Sequence, residues 1–160
     1  MGQLIFERGG SGFPLVLVHG YLAGAGIWRE QIDFFKDRFD VLAPNLPGFG
    51  DSDKTGDFAM TAQAQAVLAF ADALGLDRFH LAGSSMGGRV AAEVAARHPD
   101  RLRSLWLLAP AGAQGERLQR SRDACVGRLR EDEGAAERRR EQLRRRDVVD
   151  KEARAAVALR

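Results

Sequence analysis

The chain reads as an α/β domain, a mainly parallel sheet with helices on both faces. Three observations predict it. From residue 15 to residue 108, short apolar runs rich in β-branched residues alternate with longer segments of helical periodicity. The runs are apolar at consecutive positions, which suits strands buried on both faces. Between them lie turn residues dense enough to end regular structure, above all in residues 44–53, Pro-Asn-Leu-Pro-Gly-Phe-Gly-Asp-Ser-Asp. Strands and helices in strict alternation imply right-handed crossovers.

Taken in order, Leu15, Val16, Leu17 and Val18 make the first strand, which ends at His19 and Gly20. Ile27, Trp28, Gln31, Ile32 and Phe35 share one helical stripe and predict a helix over residues 26–36. Residues 39–43 form the second strand and run into the Pro/Gly loop. Val67, Leu68, Ala71 and Leu74 lie on one face of an Ala-rich helix over residues 61–74, with Gly75 as its stop. Residues 79–82 are the third strand and residues 86–97 a helix that His98 and Pro99 end. Residues 102–108 are the last apolar strand, before Pro110, Ala111 and Gly112. Trp28 and Trp106 fall on apolar faces and read as core. On such a sheet, functional residues belong in loops at the carboxyl ends of strands.

Composition divides the chain in two. Residues 1–115 hold 10 basic and 12 acidic side chains, residues 116–160 hold 14 and 10, and all 12 aromatics lie at or before Trp106. The expected organisation is a core over residues 1–115 and an Arg-rich helical tail over residues 116–160. The tail admits three readings: an incomplete cap of amphipathic helices, a solvated charged helix, or out-of-frame sequence. Its arginine clusters at 138–140 and 144–146 are interleaved with Glu131, Asp132, Glu133, Glu137 and Glu141, and no aromatic is present to stack on bases. No nucleic-acid partner is expected.

A chain of 160 residues buries about 68–70% of its unfolded surface, enough for a core without disulfides. Cys125 is the single cysteine, and it makes no close pair at ligand spacing with His19, His80 or His98, which disfavours zinc. No apolar run approaches the roughly 18 residues of a membrane span, and the N-terminus lacks a basic-then-apolar leader pattern. A cytoplasmic location is the expectation.

Chemistry concentrates in residues 79–90, where Gly83-Ser84-Ser85-Met86-Gly87 places Ser85 at the centre of Gly-x-Ser-x-Gly between a strand and a helix. A sharp strand-to-helix turn holds such a serine in a strained conformation, and small residues two positions to either side let neighbouring backbone pass. The helix that follows favours negative charge beside the serine. Gly83 and Gly88 also have the spacing of a phosphate-cradling loop, but Arg89 and Val90 stand where its lysine and hydroxyl belong, which excludes that reading.

Leu17-Val18-His19-Gly20-Tyr21, Pro44-Asn45-Leu46-Pro47-Gly48-Phe49-Gly50-Asp51-Ser52 and Gly83-Ser84-Ser85-Met86-Gly87-Gly88 occur in the order and at the spacing of one family. On these motifs, residues 15–112 resemble the N-terminal half of an α/β-hydrolase, of the esterase and lipase superfamily. The resemblance implies Ser85 as nucleophile and the backbone N–H groups of Tyr21 and Met86 as the oxyanion hole. It implies no cofactor and a small-molecule ester substrate, cleaved through an acyl-enzyme. Asn45 departs from the usual Asp at a structural position. Hydrolysis of carbon–carbon bonds in ring-cleavage products and lactone hydrolysis are the enzymatic alternatives, and a non-catalytic truncated scaffold is the alternative of another class.

A serine nucleophile needs a base and an orienting acid, which in this superfamily follow the serine in the order Asp or Glu, then His. His98 is the only histidine after Ser85 and lies 13 residues along the helix, roughly 20 Å away at about 1.5 Å per residue. Glu93 fails for the same reason. His80 lies five residues back on the strand, about 16 Å toward the other end of the sheet. His19 is at the correct end, but in relatives the histidine of His-Gly is a buried support. By resemblance the chain stops after about the sixth strand of eight, which leaves residues 102–108 as an unpaired apolar edge open to self-association.

Overall fold

The computed structural model describes residues 4–54 and 56–112. Expectations about residues 116–160 lie outside them. Five strands occur in the described residues: β1 (Phe6–Gly9), β2 (Phe13–Val18), β3 (Phe39–Pro44), β4 (Phe79–Ser84) and β5 (Leu102–Leu108). They form one sheet in the order β1-β3-β2-β4-β5. All neighbours are parallel except β1, which runs antiparallel to β3. The helices are α1 (Arg29–Phe35), α2 (Met60–Ala73) and α3 (Met86–Arg97), with a 3₁₀ turn over Ala25–Trp28 leading into α1. This is the α/β, mainly parallel architecture that the alternation of patterns predicts.

Side chains alternate across the sheet, so each strand supplies two cores. On one face Val16, Val18, Leu42, Phe79 and Leu81 pack against Ala64, Val67 and Ala71 of α2 and Val90, Ala91 and Val94 of α3. On the other, Leu17, Val41, Ala43 and Ala82 pack against Ala25, Trp28 and Ile32. The second core is smaller because α1 is short and packs on the β1–β3 side.

Three departures from the sequence reading have physical causes. β1 has no apolar pattern of its own; it forms because it pairs with β3, and Arg8 grips Asp40 through two 2.8 Å bonds. The helix expected over residues 26–36 opens as a 3₁₀ turn, held where the Ala25 N–H donates to Asn45 Oδ1 at 2.6 Å. Trp28 is core as expected, but Trp106 is 59% exposed, because it faces the side of β5 that α1 does not reach. Gly75 ends α2 as predicted, with φ +69°, while the N–H groups of Gly75 and Leu76 return to the carbonyls of Asp72 and Ala71. α3 and β5 have the bounds expected of them. β5 has one neighbouring strand among the described residues, so its outer edge is open there.

Candidate functional site

The site is built where β4 runs out and α3 begins. Ser85 occupies that junction with φ 53° and ψ −115°, a conformation costly for any residue with a Cβ, and its side chain is exposed. Backbone bonds from three directions hold it. The Ser85 N–H donates to the Leu108 carbonyl at 2.9 Å, and the Ser85 carbonyl accepts from the N–H of Ala111 at 2.9 Å and of Arg89 at 3.2 Å. The segment after β5, with Ala109 at φ 42°, therefore braces the turn from the neighbouring strand. That brace escaped the sequence reading; the turn residues Pro110, Ala111 and Gly112 were its only local signal.

The flanking glycines are required by contact. A Cβ at Gly83 would meet the Gly87 carbonyl and would lie 2.7 Å from the Gly88 nitrogen. At Gly87 it would meet the carbonyl oxygens of Val18 and His19. The loop after β2 thus presses on the start of α3. A Cβ at Gly20 would lie 3.3 Å from Ser85 Cβ and 3.9 Å from its Oγ, so the segment leading to Tyr21 runs beside the serine. The Met86 N–H, first in α3, has no acceptor within the helix, and it lies at the positive end of the helix dipole.

His19 is fully buried behind this loop and uses both ring nitrogens. Nδ1 lies 2.8 Å from the Gly20 carbonyl, and Nε2 lies 3.0 Å from the Leu46 N–H. An N–H can donate only to an unprotonated nitrogen, so the ring is neutral with its proton on Nδ1. Burial lowers its pKa below the usual 6.5, against a smaller opposing effect from the Gly20 bond. The imidazole ties the loop after β2 to the loop after β3 and meets the edge of Phe49, which in turn meets Tyr21. Asn45 belongs to the same scaffold: it holds the 3₁₀ turn through its side chain, while its carbonyl accepts from Ser52 Oγ at 2.8 Å.

The structure brings Ser85, Met86 and the Gly20 backbone, one residue before Tyr21, together, and it brings none of the chain's three histidines to Ser85 as a free base. His19 has both nitrogens committed. His80 shares a 2.7 Å hydrogen bond with Ser104 Oγ on the far half of β4, its pKa lowered by burial and by Arg103. His98 follows the last turn of α3. Glu93 is buried between Arg89 at 3.2 Å and Arg97 at 3.4 Å.

The family model for the α/β hydrolase fold matches residues 14–136. The chain belongs to the α/β-hydrolase family. It is 42% identical over 117 residues to the dihydrolipoyllysine-residue acetyltransferase component of an acetoin cleaving system of Pseudomonas putida, covering 69% of this chain and 31% of that one. It is 34% identical over 110 residues to a 2-hydroxymuconate semialdehyde hydrolase of Pseudomonas sp. (strain CF600), covering 64% and 38%. Among solved structures it resembles a bacterial membrane phospholipase A with a TM-score of 0.66 at 39% identity, covering 70% of this chain and 40% of that one. The chain spans less than half the length of these α/β hydrolases. Among the described residues no helix is long and apolar enough to cross a membrane.

Proposed function

We propose that Ser85 is the nucleophile of a serine hydrolase that cleaves carboxylic esters through an acyl-enzyme intermediate. In this reading Ser85 Oγ attacks the ester carbonyl carbon as a base takes its proton. The backbone N–H groups of Tyr21 and Met86 hold the oxyanion. The alkoxide then leaves with a proton, and water repeats the attack on the acyl-enzyme. One observation carries the reading: an exposed serine with φ 53° at a strand-to-helix turn, with the Gly20 backbone against it. A protein does not hold so strained a residue without fixing it from several sides, and such strain clusters at reactive positions.

The proton acceptor is none of the three histidines, so these residues carry the nucleophile and the oxyanion donors without the base. Carbon–carbon bond and lactone hydrolysis would use the same attack with a different leaving group; substrate profiling separates them.

A fluorophosphonate probe, with imidazole supplied as the soluble base, tests the assignment without requiring turnover. We expect peptide mass spectrometry to find the adduct on Ser85 in preference to the chain's other serines, and no such adduct in Ser85→Ala. Labelling spread evenly over the serines would remove Ser85 from the role.

A further inference from the structure

His19 joins the loop after β2 to the loop after β3 through a bond that only an unprotonated nitrogen can accept, from the Leu46 N–H to Nε2 at 3.0 Å. Both residues are fully buried. A proton on Nε2 would set one N–H against another, leaving the Leu46 donor and a charged ring without acceptors in the interior. Nδ1 would be unaffected, since it already donates to the Gly20 carbonyl. On the elements around the ring, the titratable side chains are Tyr21 on its own loop, Asp51 and Asp53 on the loop after β3, His80 on β4, Asp72 at the far end of α2, and Arg89 and Glu93 on α3. None contributes to the lowered pKa of His19, which burial causes against the smaller effect of the Gly20 bond, so no carboxylate offsets a charge on the ring.

The loop that carries His19 is built against Ser85. The carbonyls of Val18 and His19 fill the place of a Cβ at Gly87, and a Cβ at Gly20 would lie 3.3 Å from Ser85 Cβ. The imidazole meets Phe49 with ring centroids 5.3 Å apart, and Phe49 meets Tyr21 at 5.8 Å. Moving the ring from its slot therefore moves Gly20 and Tyr21 relative to Ser85. We propose that His19 is an acid switch on the candidate site: uptake of one proton releases the Leu46 bond, and the Gly20–Tyr21 segment moves off Ser85 while the sheet and helices stay folded. The effect on reactivity rests on Ser85 as nucleophile; the opening of the loop does not. In the opened loop the imidazole meets water and takes the proton at about its ordinary 6.5, whereas the closed loop takes it only at lower pH. Acid below pH 6.5 thus favours the open form and neutral pH the closed one. The core between the sheet and helices α2 and α3 is apolar and has nothing to titrate, which keeps the opening local.

Amide hydrogen exchange and fluorophosphonate labelling of the 160-residue chain test the switch, from about pH 7.5 down to the lowest pH at which circular dichroism reports the folded chain. Imidazole is supplied at a fixed concentration of its free base, so that the added base does not vary. We expect Leu46 amide protection, corrected for the intrinsic rate, to fall at least about tenfold while Val67 and Val94 stay protected, and Ser85 labelling to slow at least about fivefold. In His19→Gln the amide oxygen stands in for Nε2 as acceptor for Leu46 and does not titrate, so protection and labelling should no longer respond to acid. If that variant does not fold, Leu46 exchange and the nitrogen chemical shift of His19 Nε2 in the unmodified chain still decide. Leu46 protection unchanged down to that pH, protection lost together with that of Val67 and Val94, labelling that ignores the opening, or an acid response that persists in His19→Gln would each overturn the switch. Ser85 unlabelled at every pH would instead remove the nucleophile reading, with Leu46 exchange still deciding whether the loop opens.

Discussion

Ser85 and His19 show how individual residues hold the site. Ser85 keeps a backbone conformation that costs on the order of 1–3 kcal/mol, and hydrogen bonds to β5, the loop after β5 and α3 hold it there. His19 does the complementary work on the facing loop, accepting from Leu46 and donating to Gly20, a role open only to its neutral form. Its lowered pKa gives the chain a pH dependence whose sign is determined. Above the ordinary value of 6.5 the ring is neutral in both folded and unfolded chains. Below it the unfolded chain binds the proton first, so stability falls from about pH 6.5 down to the depressed folded value. His80 is shifted the same way and adds to the slope. Urea unfolding between pH 7.5 and about pH 5 should show this decline, with a shallower slope in His19→Gln; a slope unchanged by that substitution would contradict the buried, neutral assignment.

Among the elements, α2 offers the cleanest energetic check. Gly75 has φ +69° and open space where a Cβ would go, so Gly75→Ala isolates the conformational cost of the left-handed turn. A loss of about 1 kcal/mol of unfolding free energy is expected in denaturant titration, and no loss would mean that the chain ends α2 differently. Gly75 also illustrates which features were legible. Where the signal is local, as in the periodicity of α2 and α3, the consecutive apolar residues of β2 to β5 and the glycines around Ser85, sequence and structure agree. Where a partner distant in the chain decides, they diverge. β1 depends on Arg8 meeting Asp40, the opening of α1 depends on Asn45, and the brace on Ser85 depends on Ala111. Apolar patterning assigned Trp106 to a face and left open whether that face is covered.

At the scale of the whole molecule, the sheet is unevenly dressed. α2 and α3 cover one face, while α1 and its 3₁₀ turn cover the other only toward β1, β2 and β3, so the side of β5 bearing Trp106 is open among the described residues. A parallel sheet is ordinarily buried on both faces, and the chain spans less than half the length of the relatives it matches. The proposed chemistry is uneven in the same way. The strained serine, the adjoining N–H groups and the helix dipole are assembled at one end of the sheet, while His19 and His80 are committed elsewhere and His98 lies past the end of α3. The most direct test is hydrolysis of p-nitrophenyl butyrate by the 160-residue chain and by Ser85→Ala, each with and without imidazole as a soluble base. Equal rates without imidazole, and a faster rate that depends on Ser85 with it, are predicted. A Ser85-dependent rate without imidazole would place a base within the chain, and equal rates under both conditions would deny Ser85 its role; either result would contradict the account.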